Sequence, residues 1–211
     1  MLALWAPVNL AYQVTKKPSE LLAPLSSRLM KTPDETWQSY APLFRRYATA
    51  NIAPELLAAL AQAESAGNPA ATTYWRWRFS LNPLAIYRPA SSSVGMYQMT
   101  DAAYAEARRG HDGAYWRVLP SDSVELAAAY LDRQVGALLA KRHPGSATQQ
   151  QKDNLAAVIH LCGPGPATSY VRHGFRLAAG ERCGDQDIAA YVGRVSNFER
   201  QFRRLAEADA S

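Results

Sequence analysis

The segment PELLAALAQAES, Pro54 to Ser65, constrains the fold more than any other stretch of the chain. Pro54 suits a first helical position, where its missing amide would go unbonded anyway, and Gly67 followed by Pro69 supplies the stop. The spacing predicts a helix in which Leu57, Leu60 and Glu64 fall at i, i+3 and i+7 and share one stripe. A glutamate on a leucine stripe points inward. Loss of water and the negative end of the helix dipole both favour its protonated form, which a general acid needs. From the helix alone, a structural glutamate satisfied by a tyrosine or an arginine is the commoner reading.

Most other segments read as helices too. One covers residues 35–50, with Trp37, Tyr40, Leu43, Phe44 and Tyr47 at helical spacing and Pro42 kinking it or delaying its start. Thr100 and Asp101 can cap a helix through Arg109. Further helices are expected over 121–142, 147–161, 167–173 and 185–207, the second of these stopped by Cys162-Gly163-Pro164-Gly165. Residues 1–33, rich in Pro, Ser and Leu without clean periodicity, read as an extended arm packed on a domain spanning 34–211. In the long connection 68–99, WRWRF alternates aromatic and basic residues with period two, which predicts a short strand with one aromatic face.

The length of 211 residues fits one domain, and 48% hydrophobic against 19% charged residues describes a globular chain. No stretch reaches the roughly 18 uninterrupted apolar residues of a membrane-spanning helix. The opening residues make a poor signal peptide, because Pro7 and Asn9 interrupt the apolar patch and no basic residue precedes it. The net charge of +5 suits an anionic polymer. The basic residues are scattered, however, and nothing resembles a nucleic-acid recognition module, so no nucleic-acid partner is expected. Cys162 and Cys183 are too few for a zinc site without well-spaced histidines. They form one disulfide if the chain is exported, or else stand as separate buried residues. Neither metal nor cofactor is expected.

Four stretches carry a resemblance. Glu64-Ser65-Ala66-Gly67-Asn68-Pro69-Ala70 resembles the ES-x-x-NP-x-A stretch of the soluble lytic transglycosylases, which share a lysozyme-like fold with goose-type lysozyme. Ser93-Val94-Gly95-Met96-Tyr97-Gln98-Met99-Thr100 is similar to their GLMQ motif. Gly163-Pro164-Gly165 sits where they have AYNAGPG, and Tyr191-Val192-Gly193-Arg194-Val195 resembles their closing Tyr-Val-x-x-Val. Each is weak alone; the ordered set is specific. The resemblance implies a mainly α, lysozyme-like domain with a short β-ribbon or irregular loop beside the groove.

It also implies a reaction. In this family one glutamate, here Glu64, protonates the glycosidic oxygen between N-acetylmuramic acid and N-acetylglucosamine, then takes the proton of the C6 hydroxyl as a 1,6-anhydro ring closes. Most glycosidases need two carboxylates, and no second acid accompanies Glu64 in the matched motifs. Asp101 and Glu106 read as a helix cap and a solvated face. By motif position Gln98 contacts substrate, Ser93 hydrogen-bonds near Glu64 or the N-acetyl group, Met96 and Tyr97 shape the groove wall, and Tyr191 directs its hydroxyl at Glu64. Met96, Tyr97 and Tyr191 read equally as core, and Gln98 also as a polar turn residue. Two departures stand out: His160 and Leu161 occupy the tyrosine and asparagine positions of AYNAGPG, and the interval from Glu64 to Gly95 is long. His160 can bond Glu64 or sugar, or be a satisfied core residue. The extra segment, TTYWRWRFSLNPLAIY, is expected to wall the glycan groove, the alternatives being a lid on the core or a partner contact. The expected partner is a peptidoglycan strand, met by a monomer in the periplasm or cell envelope, with room for peripheral envelope association and a leader removed before Met1. A lysozyme-type muramidase, or a non-catalytic peptidoglycan-binding protein, fits the same scaffold.

Overall fold

The computed structural model describes residues 2–140 and 147–210. Helix α4 (Pro54–Ser65) runs through the centre, with Leu56, Leu57 and Leu60 wholly buried. It packs between α3 (Pro33–Tyr47) and the long C-terminal α9 (Ile188–Ala210). Pro33 opens α3 behind a capping box in which Thr32 and Glu35 satisfy each other's backbone amides, and the helix continues through Pro42. Trp37, Phe44 and Phe202 stack where α3 meets α9, and Trp37 Nε1 donates to Asp209 Oδ2 at 2.8 Å, fastening the chain's last turn.

Helices α5 (Asp101–Ala107), α6 (Pro120–Ala140), α7 (Gln149–Cys162) and α8 (Pro164–Arg172) complete the domain. Thr100 caps α5, and Thr148 with Gln151 forms a second capping box at α7. The expected continuation of α6 through Lys141 and Arg142 lies outside the described residues. Cys162, at the end of α7, is disulfide-bonded to Cys183, which resolves the open pairing. Two antiparallel ribbons accompany the helices. In the first, β1 (Trp75–Trp77) pairs with β2 (Tyr87–Pro89); in the second, β3 (Arg182–Cys183) pairs with β4 (Gln186–Asp187). A mainly helical domain with a short ribbon is the fold class expected.

The N-terminal segment corrects the extended arm of the sequence reading. It folds as helix α1 (Leu2–Lys16), a 3-10 turn over Pro18–Leu22 and a single helical turn, α2 (Ala23–Ser26). The physical reason is that the inner stripe of α1 is polar. Trp5, Asn9 and Gln13, at i, i+4 and i+8, donate to the backbone oxygens of Pro83 and Leu84 at 3.2, 2.8 and 2.6 Å. A search for apolar periodicity does not register such a face.

Candidate active site

Glu64 occupies the last turn of α4, and the residues after it stop the helix and staple it in place. Ala66 takes a left-handed conformation (φ 53°) and its amide bonds back to Ala61 and Gln62. At Gly67 (φ 65°) a Cβ would lie 2.2 Å from Thr36 Oγ1, so only glycine fits. Ser65 Oγ donates to Met96 O at 2.7 Å, and Asn68 Nδ2 donates to Ser26 O at 2.6 Å. The first motif is therefore largely architectural. It aims one carboxylate and bonds that helix end to the second motif.

The second motif is a tight loop. Val94 bridges both Thr72 and Met99, and Gly95 N donates to Ala71 O at 2.9 Å. Gln98 adopts φ 45°, and its Nε2 donates to Ala71 O and Gly95 O at 3.1 and 3.0 Å. Both amide hydrogens are thus committed, and Oε1 is the atom left without a protein partner among the described residues. Met96 and Tyr97 have no exposed surface, and the Tyr97 hydroxyl donates to Leu57 O at 3.1 Å. These two belong to the core and not to the groove wall, a correction of the substrate-binding role expected of them.

Glu64 lines a cleft of about 380 Å³ with Thr72, Thr73, Tyr74, Ser91, Ser93, Gln98, Thr100, His160 and Leu161. Gln98, Thr100, His160 and Leu161 also line a neighbouring hollow of about 480 Å³ that reaches Glu106 and Tyr130, so the two form one groove. Among the described residues Glu64 is the sole carboxylate of the first cleft, and its side chain is 16% exposed. The Tyr191 hydroxyl donates to Glu64 Oε1 at 2.5 Å. Burial first, then the charge of Glu64 and its hydrogen bond, push that phenol well above the usual range, so it keeps its proton and remains a donor. His160 Nε2 lies 3.5 Å from the same oxygen, beyond good hydrogen-bond distance, and acts on it as a charge only when protonated. Both neighbours address Oε1. Glu64 Oε2 has no partner among the described residues.

Of the residues singled out from the sequence, Glu64, Ser93, Gln98, His160 and Tyr191 come together at the cleft, while Met96 and Tyr97 stay buried behind it, Tyr97 with its ring edge-on to His160. Thr72, Thr73 and Tyr74 open the long segment expected to wall the groove and do line this cleft, whereas Thr100, read as a helix cap, was not anticipated there. The β-bridge between Thr72 and Val94 and the bond from Gly95 N to Ala71 O hold the threonines there, a long-range pairing that no short-range pattern in the sequence encodes. Within the long segment after Glu64, the threonines and Tyr74 line this cleft, whereas the ribbon β1–β2 turns away and packs on α1, with Trp5 stacked on Trp77. Among the described residues no group of His, Cys, Asp and Glu is arranged to hold a metal ion, and no helix is long and apolar enough to cross a membrane. The family model of the transglycosylase SLT domain matches residues 42–159, more than half of the chain. Among curated proteins none matches.

Proposed function

The chain belongs to the SLT transglycosylase family, whose activity is on peptidoglycan, and from that premise we propose that it is a lytic transglycosylase in which Glu64 is first the acid and then the base. One observation carries the reading. A single carboxylate opens into a sugar-sized cleft, with one oxygen held by a buried tyrosine and the other unencumbered.

The proton to be transferred sits on Oε2, because Oε1 accepts from Tyr191. Oε2–H protonates the glycosidic oxygen as the bond from the anomeric carbon of N-acetylmuramic acid to that oxygen breaks. Glu106 lies in the adjoining hollow and is ion-paired with Arg109, so the positive charge at the anomeric carbon is met by the substrate's own N-acetyl oxygen. The carboxylate then removes the C6 hydroxyl proton, and O6 bonds the anomeric carbon. The product is a 1,6-anhydro ring, and Glu64 has regained its proton. In this reading Gln98 Oε1 accepts from the acetamido N–H, and the hydroxyls of Ser93 and Thr72, which line the same cleft, bond sugar hydroxyls. The Cys162–Cys183 disulfide supports an oxidising compartment, in keeping with action in the periplasm or cell envelope.

Digestion of purified sacculi followed by mass spectrometry tests this. Release of muropeptides ending in 1,6-anhydro sugar, with Glu64→Gln roughly 10³-fold slower, is expected. Products heavier by one water, with reducing ends, would instead identify a muramidase. A folded Glu64→Gln that solubilises sacculi at the normal rate would remove Glu64 from the chemistry.

A further inference from the structure

A larger cleft, of about 750 Å³, adjoins the one at Glu64, and Ser91 lines both. Its walls are the end of α1, the turn Pro18–Leu22, Arg78 just after β1, strand β2, residues 90–92 with Val94, and residues 116–118. The walls are fastened by a buried ion pair. Glu20 meets Lys17 Nζ at 2.9 Å and accepts from Trp75 Nε1 at 2.7 Å, while Lys17 also donates to Ser93 O at 2.8 Å and Ser91 O at 3.2 Å. The N-terminal segment is thereby tied to the ribbon and to the serine loop of the Glu64 cleft. The hollow is a preformed feature of the fold.

Its charge is unbalanced. Lys17 and Arg117 are neutralised by Glu20 and Asp101, but Lys16, Arg78 and Arg88 have no carboxylate partner among the described residues. The strand alternation puts Trp75 and Trp77 on one face of the ribbon and the arginines on the other, and the register sets Arg76 directly opposite Arg88. Like charges so placed destabilise a ribbon. Arg88 lines the cleft, so an anion bound there offsets the like-charge cost of that pair. The lining also includes apolar Leu22, Pro89 and Val94, which suits carboxylates carried on an organic chain better than a continuous string of phosphates.

We propose that this cleft binds the carboxylate-bearing peptide carried on the lactyl group of the muramic acid residue that lies against Glu64. The proposal rests on the transglycosylase reading above, since the shared Ser91 wall is where a branch leaving the glycan would enter. The test compares kcat/KM on peptide-bearing glycan strands with kcat/KM on the same strands stripped of peptide by an amidase. The double variant Arg78→Gln/Arg88→Gln should lower the preference for peptide-bearing strands about tenfold, chiefly through KM. A control pair on α9, Arg200→Gln/Arg204→Gln, should not shift it. Calorimetric titration of isolated stem peptide into Glu64→Gln should give binding that the added arginine substitutions abolish. The double variant should melt no lower than the parent, because it removes a like-charge contact. An unchanged preference, an equal shift in the control pair, or peptide binding indifferent to Arg78 and Arg88 overturns the peptide site. Activity surviving in Glu64→Gln would instead overturn the parent reading.

Discussion

At the scale of single residues, the site depends on which oxygen of Glu64 is free. Tyr191 is 1% exposed and keeps its proton as a donor to Glu64, because burial and the neighbouring carboxylate push its phenol well above the usual range. Tyr191→Phe keeps the packed ring and removes only that donor. Hydrogen bonds to a charged group are worth about 1.5–3 kcal/mol, so kcat should fall roughly 10- to 100-fold. KM should hardly change, and the melting temperature should stay within a few degrees. Muropeptide release and a thermal melt check this, and an unaltered kcat would mean that Oε1 needs no clamp. Glu64 was legible from helix periodicity, which put it on a leucine stripe, and Tyr191 from its place in the closing motif of the resemblance. Met96, Tyr97 and Gln98 were not separable in that way. Gly95 and Gln98 both take positive φ, so the loop reverses twice and sends Met96 and Tyr97 inward while Gln98 faces the cleft. Backbone torsions decide that outcome, and no spacing rule carries them.

At the scale of elements, the groove exists because the turn after α4 and the loop 94–99 are locked together. Gly95 is the critical point of that lock. Its φ is 84°, and a Cβ there would lie 2.0 Å from the carbonyl oxygen of Arg117. Gly95→Ala should therefore cost about 3 kcal/mol, lowering the melting temperature by about 10 °C, and should impair activity out of proportion to the loss of fold. Gly110 provides the comparison, with a similar φ of 82° and nothing within 4 Å of the point where a Cβ would stand. Gly110→Ala should cost only about 1 kcal/mol, the torsional part alone. Equal melting temperatures for the two variants would mean that the Arg117 contact yields. Elements with apolar stripes, α4, α6, α7 and α9, were legible in the sequence to within a few residues. WRWRF was equally readable as a strand. Helix α1 escaped because its buried stripe is built from Trp5, Asn9 and Gln13, whose partners are carbonyls about seventy residues away in the sequence.

At the scale of the whole molecule, the central packing of α9 on α7 encloses a pair of carboxylates that takes no part in the groove. Asp153 and Glu199 are both 2% exposed. Burial, the charge of Asp153 and a hydrogen bond to it push Glu199 up to about 7, against the restraining effect of Arg203, whose guanidinium meets Glu199 Oε1 at 2.5 Å. Asp153 is raised as well, chiefly by burial. Its Oδ2 has no donor unless Glu199 carries a proton, so the pair is satisfied as one acid and one carboxylate. The unfolded chain ionises Glu199 near the ordinary value of 4.5, whereas the folded chain keeps the proton to about 7. Between these values the folded state holds the extra proton, so the pair's contribution is complete below the lower one and is lost as pH rises through the upper. Glu199→Gln supplies a permanent N–H donor to Asp153 and leaves an oxygen for Arg203. Relative to the parent, this variant should gain stability as pH rises from about 5 to 7.5, with a slope of up to about 1.4 kcal/mol per pH unit. Urea denaturation at a series of pH values measures it. A constant difference between variant and parent would mean that Glu199 is ionised in the fold throughout, with Arg203 alone answering its charge.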